Sequence, residues 1–272
     1  LLIIMKKFIF ILMILGGCST VNLDVDQRKK NFINLNKFQF EENVYQINDF
    51  NIFSVRKIKD NKKLIVYIEG DGLAWLDRFT PSTDPTPNNP VAFKLALEDK
   101  NDNIIYLSRP CQYLTGNRCK KEIWTKLQYS NEILSIYKKI LSKLTTEYDE
   151  IHLVGYSGGA AIIIYLASID ELNIKSIRTI AGNINPDEIS SILKLSSYKK
   201  TENFYTLEKS IKDLSQTHYY GLKDKVIPKN LHFNYAERNI DNKCINIQSV
   251  EASHGKGWVE FWTNNYQLKQ NC

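Results

Sequence analysis

Residues Ile151-His152-Leu153-Val154-Gly155-Tyr156-Ser157-Gly158-Gly159-Ala160-Ala161-Ile162 read as an apolar strand running through Gly-x-Ser-x-Gly into a helix. A strand that turns into a helix within so few residues forces its central residue into a strained backbone conformation. Gly155 and Gly159 supply the bare backbone that lets strand and helix pass closely. Ser157 then projects its hydroxyl above the sheet, where the free N–H groups and positive dipole end of the helix also point. A serine in that position is built to attack a carbonyl and to stabilise the resulting oxyanion. A glycine-rich turn with a capping serine would account for the pentapeptide alone; the apolar strand before it and the apolar helix after it favour a nucleophile.

Working outward, periodicity gives alternating elements. Val44–Ile47 and Ile52–Ile58 form a leading β region, and Leu64–Ile68 is a continuous apolar strand of the kind covered on both faces. A Pro/Thr-rich loop from Thr80 to Pro90 precedes a helix over Val91–Glu98, then a strand over Asn103–Ser108 and a long helix within Lys120–Glu147. Strands at Ser176–Ala181, Thr217–Gly221 and Cys244–Val250 follow, separated by helices. This order predicts an α/β fold, a doubly wound and mostly parallel sheet with helices on both faces, whose ligand site lies beyond the carboxyl ends of the strands. The connection Asp187–Gln216 leaves room for a small cap at most.

The N-terminus reads as an export signal: Met5-Lys6-Lys7, an uncharged apolar run Phe8–Leu15, then Gly16-Gly17-Cys18. The run is too short for a spanning helix of ~20 residues. Leu15-Gly16-Gly17-Cys18 resembles the bacterial lipobox. That resemblance implies cleavage before Cys18, lipidation of its sulfur and amino group, and a stable membrane anchor. The expected organisation is a lipoprotein signal peptide at 1–17, a tether at 18–36 and one α/β domain at 37–272. The expected location is the bacterial cell envelope, with Ser19 favouring the outer membrane. Removal of the signal leaves 255 residues and lowers the charge from +6 to +4. That balance, without a dense Lys/Arg block, excludes nucleic acid as a partner.

Four further cysteines suit an oxidising compartment. Cys111 and Cys119 lie eight apart in one loop. If Cys244 opens a strand and Gly257–Gln270 is a helix returning beside it, Cys272 reaches Cys244. The expected pairs are therefore Cys111–Cys119 and Cys244–Cys272. The spacings do not suit zinc, and no metal or cofactor is expected.

A serine nucleophile needs a base, and the base needs a carboxylate. Asp224 lies just after a strand in Tyr220-Gly221-Leu222-Lys223-Asp224-Lys225-Val226-Ile227-Pro228, and His254 lies between the last strand and the last helix. Asp187 is the rival acid. His152 and His218 fall inside strands, and His232 sits in a polar connection. Gly155-Tyr156-Ser157-Gly158-Gly159, the Gly-x-x-Asp-x-x-x-Pro pattern around Asp224, and Ser253-His254-Gly255 together resemble the α/β-hydrolase superfamily over about residues 60–270. The resemblance implies a Ser157–His254–Asp224 triad, no cofactor and a small acyl substrate. It also implies oxyanion donors at the backbone N–H groups of Gly158 and of Asp71, with Gly72 as the alternative to Asp71, in the loop Glu69-Gly70-Asp71-Gly72. The superfamily often has His-Gly in that loop, so Glu69 is a departure; an ion pair of Glu69 with Arg109 is expected to brace it. The activity so implied is ester hydrolysis. A thioesterase, amidase or peptidase on the same triad is the alternative, and a non-catalytic envelope protein using the scaffold for binding is the reading from a different class.

Overall fold

The computed structural model describes residues 24–37, 39–199, 202–268 and 272. The signal segment 1–17 and Cys18 lie outside them. Among the described residues no helix is long and apolar enough to cross a membrane.

One eight-stranded sheet organises the chain. Its strands are β1 (Glu41–Ile47), β2 (Phe50–Lys57), β3 (Lys63–Ile68), β4 (Ile104–Leu107), β5 (Glu150–Tyr156), β6 (Ile174–Ile180), β7 (Ser215–Gly221) and β8 (Ile245–Val250). They stand in the order β1-β2-β4-β3-β5-β6-β7-β8. The two pairs involving β2 are antiparallel, and every pair from β4 to β8 is parallel. Side chains alternate across β3 and create two cores. Leu64, Val66 and Ile68 pack on one face, and Ile65 and Tyr67 on the other. The first core is covered by α4 (Asn131–Leu144) and α5 (Gly159–Ala167), the second by α2 (Val91–Glu98) and α9 (Trp258–Trp262). In α4, Ile133, Ile136, Tyr137, Ile140, Leu141 and Leu144 are buried at helical spacing, so one stripe of the helix meets the sheet.

The long helix expected within Lys120–Glu147 is α4, with the short helix α3 (Lys121–Trp124) before it. The terminal helix stops at Trp262; Cys272 is nevertheless joined to Cys244, and Cys111 to Cys119. Part of the expected tether is folded, as α1 (Val25–Asn36). Asp24 caps it by accepting from the Gln27 N–H at 2.7 Å. Buried Phe32 stacks on Phe93 of α2 at 4.0 Å between centroids, and buried Arg28 pairs with Asp84 at 3.4 Å. Burying Phe32 contributes roughly 2–3 kcal/mol toward holding α1 on the domain.

Helices α6 (Pro186–Leu193) and α7 (Phe204–Ser210) fill the β6–β7 connection. Glu188 of α6 and Glu208 of α7 both pair at 2.9 Å with Arg238 at the end of α8 (Lys229–Arg238). No residue of α6 or α7 lines the cleft at Ser157.

Candidate active site

Ser157 stands between β5 and α5 with φ +50°. A non-glycine residue in that region costs on the order of 1–2 kcal/mol. Packing enforces the conformation. A Cβ on Gly155 would meet the Gly159 carbonyl oxygen at 2.7 Å, and one on Gly159 would meet the Ile68 carbonyl oxygen at 2.4 Å. The two glycines are thus required by the crossing of β5, α5 and the end of β3.

His254, in the loop after β8, bridges the serine and an acid. Its Nε2 lies 3.1 Å from Ser157 Oγ and its Nδ1 lies 2.9 Å from Asp224 Oδ2. The loop itself is tied down. The His254 carbonyl accepts from Tyr156 Oη at 2.9 Å and from Trp258 Nε1 at 3.0 Å, and Asn89 Nδ2 donates to the Gly255 carbonyl at 2.8 Å. Asp224, after β7, is the acid that faces the imidazole; Asp187 lies in α6. Its other oxygen accepts from the backbone N–H groups of Val226 and Ile227 at 2.7 and 3.0 Å. Burial alone would raise the Asp224 carboxyl. The hydrogen bond and charge of His254, with those two N–H groups, outweigh it and hold the pKa below the usual value. An ionised, oriented carboxylate fixes the tautomer that leaves Nε2 free to accept the serine proton. Burial dominates the other histidines, pushing His152 and His232 down to about 4 and His218 to about 3. They are neutral core residues.

On the opposite side of Ser157 lies the loop after β3. Asp71 packs so closely on Gly158 that a Cβ there would sit 1.9 Å from Asp71 Oδ1. Gly158 and Asp71, the two expected oxyanion donors, are therefore neighbours. Neither backbone N–H has a hydrogen-bond acceptor among the described residues.

The expected Glu69–Arg109 pair is not formed. Arg109 Nη1 instead pairs with Asp71 Oδ1 at 2.9 Å, and its Nη2 donates to the Gln128 carbonyl at 3.0 Å. The Gln128 side-chain amide faces Asp71, and in the orientation that satisfies both groups its nitrogen donates to Asp71 Oδ1 at 2.7 Å and Oδ2 at 3.2 Å. Strand alternation is the reason. Glu69 continues the Ile65–Tyr67 face toward α2, whereas Arg109 follows Ile105 and Leu107 to the α4 face, so the sheet separates them. Glu69, fully buried, accepts from the N–H groups of Gly70 and Ala92 at 2.9 and 3.3 Å and from Tyr106 Oη at 3.2 Å. Burial raises its pKa to about 7 against those bonds. Burial likewise raises the Asp71 carboxyl, opposed by Arg109.

One further residue holds this loop, and no sequence motif marks it. Gln112, fully buried, donates from Nε2 to the Gly70 carbonyl at 3.0 Å while its Oε1 accepts from the Arg109 N–H at 3.0 Å. Its neighbours Cys111 and Tyr113 have φ of +69° and +64°, and Cys111 is disulfide-bonded. The Gly70 peptide is thus clamped on both sides, by Glu69 at its N–H and by Gln112 at its carbonyl.

No protein-family model and no curated protein matches the sequence. Solved structures do match. The esterase Pf2001 from Pyrococcus furiosus superposes with a TM-score of 0.57 at 17% identity, over 86% of this chain and 90% of that one. Est1E from Butyrivibrio proteoclasticus gives 0.55 at 10% identity, over 82% and 95%. An α/β serine hydrolase homologue from Coxiella burnetii gives 0.54 at 16%, over 84% and 97%. The chain has the α/β-hydrolase fold. In that fold the loops after β3, β5, β7 and β8 converge above the sheet, and here they wall an open cleft of about 850 Å³. Leu73, Trp75, Tyr156 and Val226 line it beside Ser157 and His254. Tyr113, Trp124 and Trp258 are buried in the cores.

Proposed function

We propose that the protein is a serine hydrolase of carboxylic esters, tethered to a bacterial membrane through lipid on Cys18. The observation that carries the hydrolase reading is His254 standing within hydrogen-bond distance of both Ser157 Oγ and Asp224 at a strained strand-to-helix turn. His254 Nε2 takes the Ser157 proton as Oγ attacks the acyl carbon. The N–H groups of Gly158 and Asp71 take up the negative charge on the carbonyl oxygen. The imidazolium, held by Asp224, returns the proton to the departing alkoxide and leaves an acyl-enzyme. Water, deprotonated by the same imidazole, then releases the acid and regenerates Ser157. The cleft is open and uncapped by α6 and α7, which suits small or extended acyl groups better than an enclosed long chain.

The tether rests on Leu15-Gly16-Gly17-Cys18 and on two disulfides, which suit an exported chain. The test of the chemistry is a panel of chromogenic esters, thioesters and amides of graded acyl length, with a fluorophosphonate adduct mapped by mass spectrometry. An adduct on Ser157 and ester turnover abolished in Ser157→Ala are expected; turnover that survives the substitution overturns the mechanism. Cys18→Ser is expected to move the protein from the membrane to the soluble fraction.

A further inference from the structure

The mouth of the cleft carries an exposed apolar rim built by two loops. In the first, Trp75 bridges to Pro81, the Leu76 N–H donates to the Thr80 carbonyl at 2.8 Å, and Asp77 accepts from the Phe79 and Thr80 N–H groups at 2.7 and 2.9 Å. These bonds fix a tip whose apolar side chains face outward: Phe79 is 82% exposed, Leu76 49% and Trp75 42%. In the second loop, Leu222 and Val226 are half exposed while Asp224 between them turns to His254. Trp75 and Arg78 of one loop line the same cleft as Lys225 and Val226 of the other. Scattered exposed apolar residues need no explanation, but a cluster held around a site mouth marks a contact surface.

The charges at this rim say what kind of surface it meets. Arg78 lies over the Phe79 ring, 5.7 Å from its centroid, and among the described residues neither Arg78 nor Lys225 has a carboxylate partner. Lys223 is paired with Glu251. The two acids of these loops, Asp77 and Asp224, are occupied by backbone N–H groups and His254. Aromatic and aliphatic tips flanked by unpaired cations fit the boundary between acyl chains and anionic headgroups. We infer that the rim Trp75–Phe79 with Leu222–Val226 docks on an anionic phospholipid surface, which turns the cleft and Ser157 toward molecules held in that surface. The docking does not depend on the hydrolase reading.

The test uses Trp75. Trp124, Trp258 and Trp262 are buried, so a quencher in the acyl chains reaches Trp75 first. The full chain carrying Ser157→Ala, which spares the lipid, is mixed with vesicles of phosphatidylglycerol or phosphatidylcholine brominated on the acyl chains. A lipid anchor would bring the chain to either vesicle, so quenching reports contact by the loop and not attachment. Expected are quenching and a blue shift with phosphatidylglycerol, about tenfold weaker with phosphatidylcholine and diminished by salt. Leu76→Asp combined with Phe79→Asp is expected to weaken the quenching about tenfold, with thermal unfolding unchanged because both side chains are exposed. Equal quenching in the two lipids, or quenching indifferent to the double substitution, overturns the inference. So does a blue shift without vesicles that grows with protein concentration, since a second copy of the chain would then be the occupant. Turnover of a soluble ester by the unsubstituted chain is measured beside it; its absence would sink the hydrolase reading and leave the docking result standing.

Discussion

In the proposed mechanism two arms meet at Ser157, and they are built differently. The acid–base arm comes from two loops that directly follow neighbouring parallel strands, β7 with Asp224 and β8 with His254, so chain order and strand order already place both groups. The oxyanion arm is a short loop, Gly70 to Gly72, whose shape is imposed from outside. Arg109, Gln112 and Gln128 reach it from other segments, and Glu69 anchors it to α2. A carboxylate beside a site of developing negative charge is tolerable only when neutralised, and Arg109 does that for Asp71. The first arm is specified by local motif, the second by packing between distant parts of the chain.

The largest effect breaks the point where the arms meet. Ser157→Ala should lower kcat for an activated ester by about 10⁶-fold while leaving the fold intact, as judged by thermal unfolding. On the acid–base arm, Asp224→Asn should lower kcat by about 10⁴-fold, because the imidazole loses its preferred tautomer. Asp187→Asn should leave the rate near that of the unsubstituted chain. On the oxyanion arm, Arg109→Ala should lower kcat about 10²-fold by leaving the Asp71 charge beside the oxyanion. Asp71→Asn placed on that background should recover part of the loss, a non-additivity that a merely structural role for Arg109 would not give. Gln112→Ala should be milder, about tenfold in kcat with little change in KM, since it removes one hydrogen bond from the Gly70 carbonyl.

The smallest effect on rate, and the one that best separates the arms, concerns Glu69. Its pKa lies at about 7 in the folded protein against 4.5 for an ordinary glutamate. Between those values the unfolded chain has released a proton that the folded chain still holds. Stability therefore falls as pH rises from about 4.5 to about 7 and is level above, by roughly 3 kcal/mol at most. Glu69→Gln should abolish that slope in urea denaturation across the window. The buried histidines act in the opposite sense. Their lowered pKa values make stability fall as pH drops below 6.5 toward 4, and this component should persist in Glu69→Gln.

Much of the fold was legible. The strands at Leu64–Ile68 and Ile151–Tyr156 are continuous apolar runs because helices cover both faces of the sheet there, and Val91–Glu98 is helical over the whole span read from the sequence. The role of residues 125–130, ahead of α4, was not legible, because it is tertiary: the segment brings Gln128 to Arg109 and Asp71 and sets Tyr129 against Gly158. Nor was α1, whose polar composition resembles a tether until Phe32 and Arg28 find Phe93 and Asp84. Within the site, Ser157, Asp224 and His254 each stand at a strand end marked by glycine or a turn. Gln112 carries no mark, since its role exists only through its contact with Gly70.

By itself the sequence determined the alternation of strands and helices, the turn at Ser157 and the order Ser–Asp–His, because each follows from local needs: apolar runs for buried strands, bare glycines for a tight crossing, turns for loops at strand ends. Only the tertiary structure decided that Arg109 neutralises Asp71 and leaves Glu69 to be buried with its own hydrogen bonds. That choice depends on which face of the sheet each residue occupies and on how far the neighbouring strands run, quantities that arise when strands far apart in the chain are brought side by side.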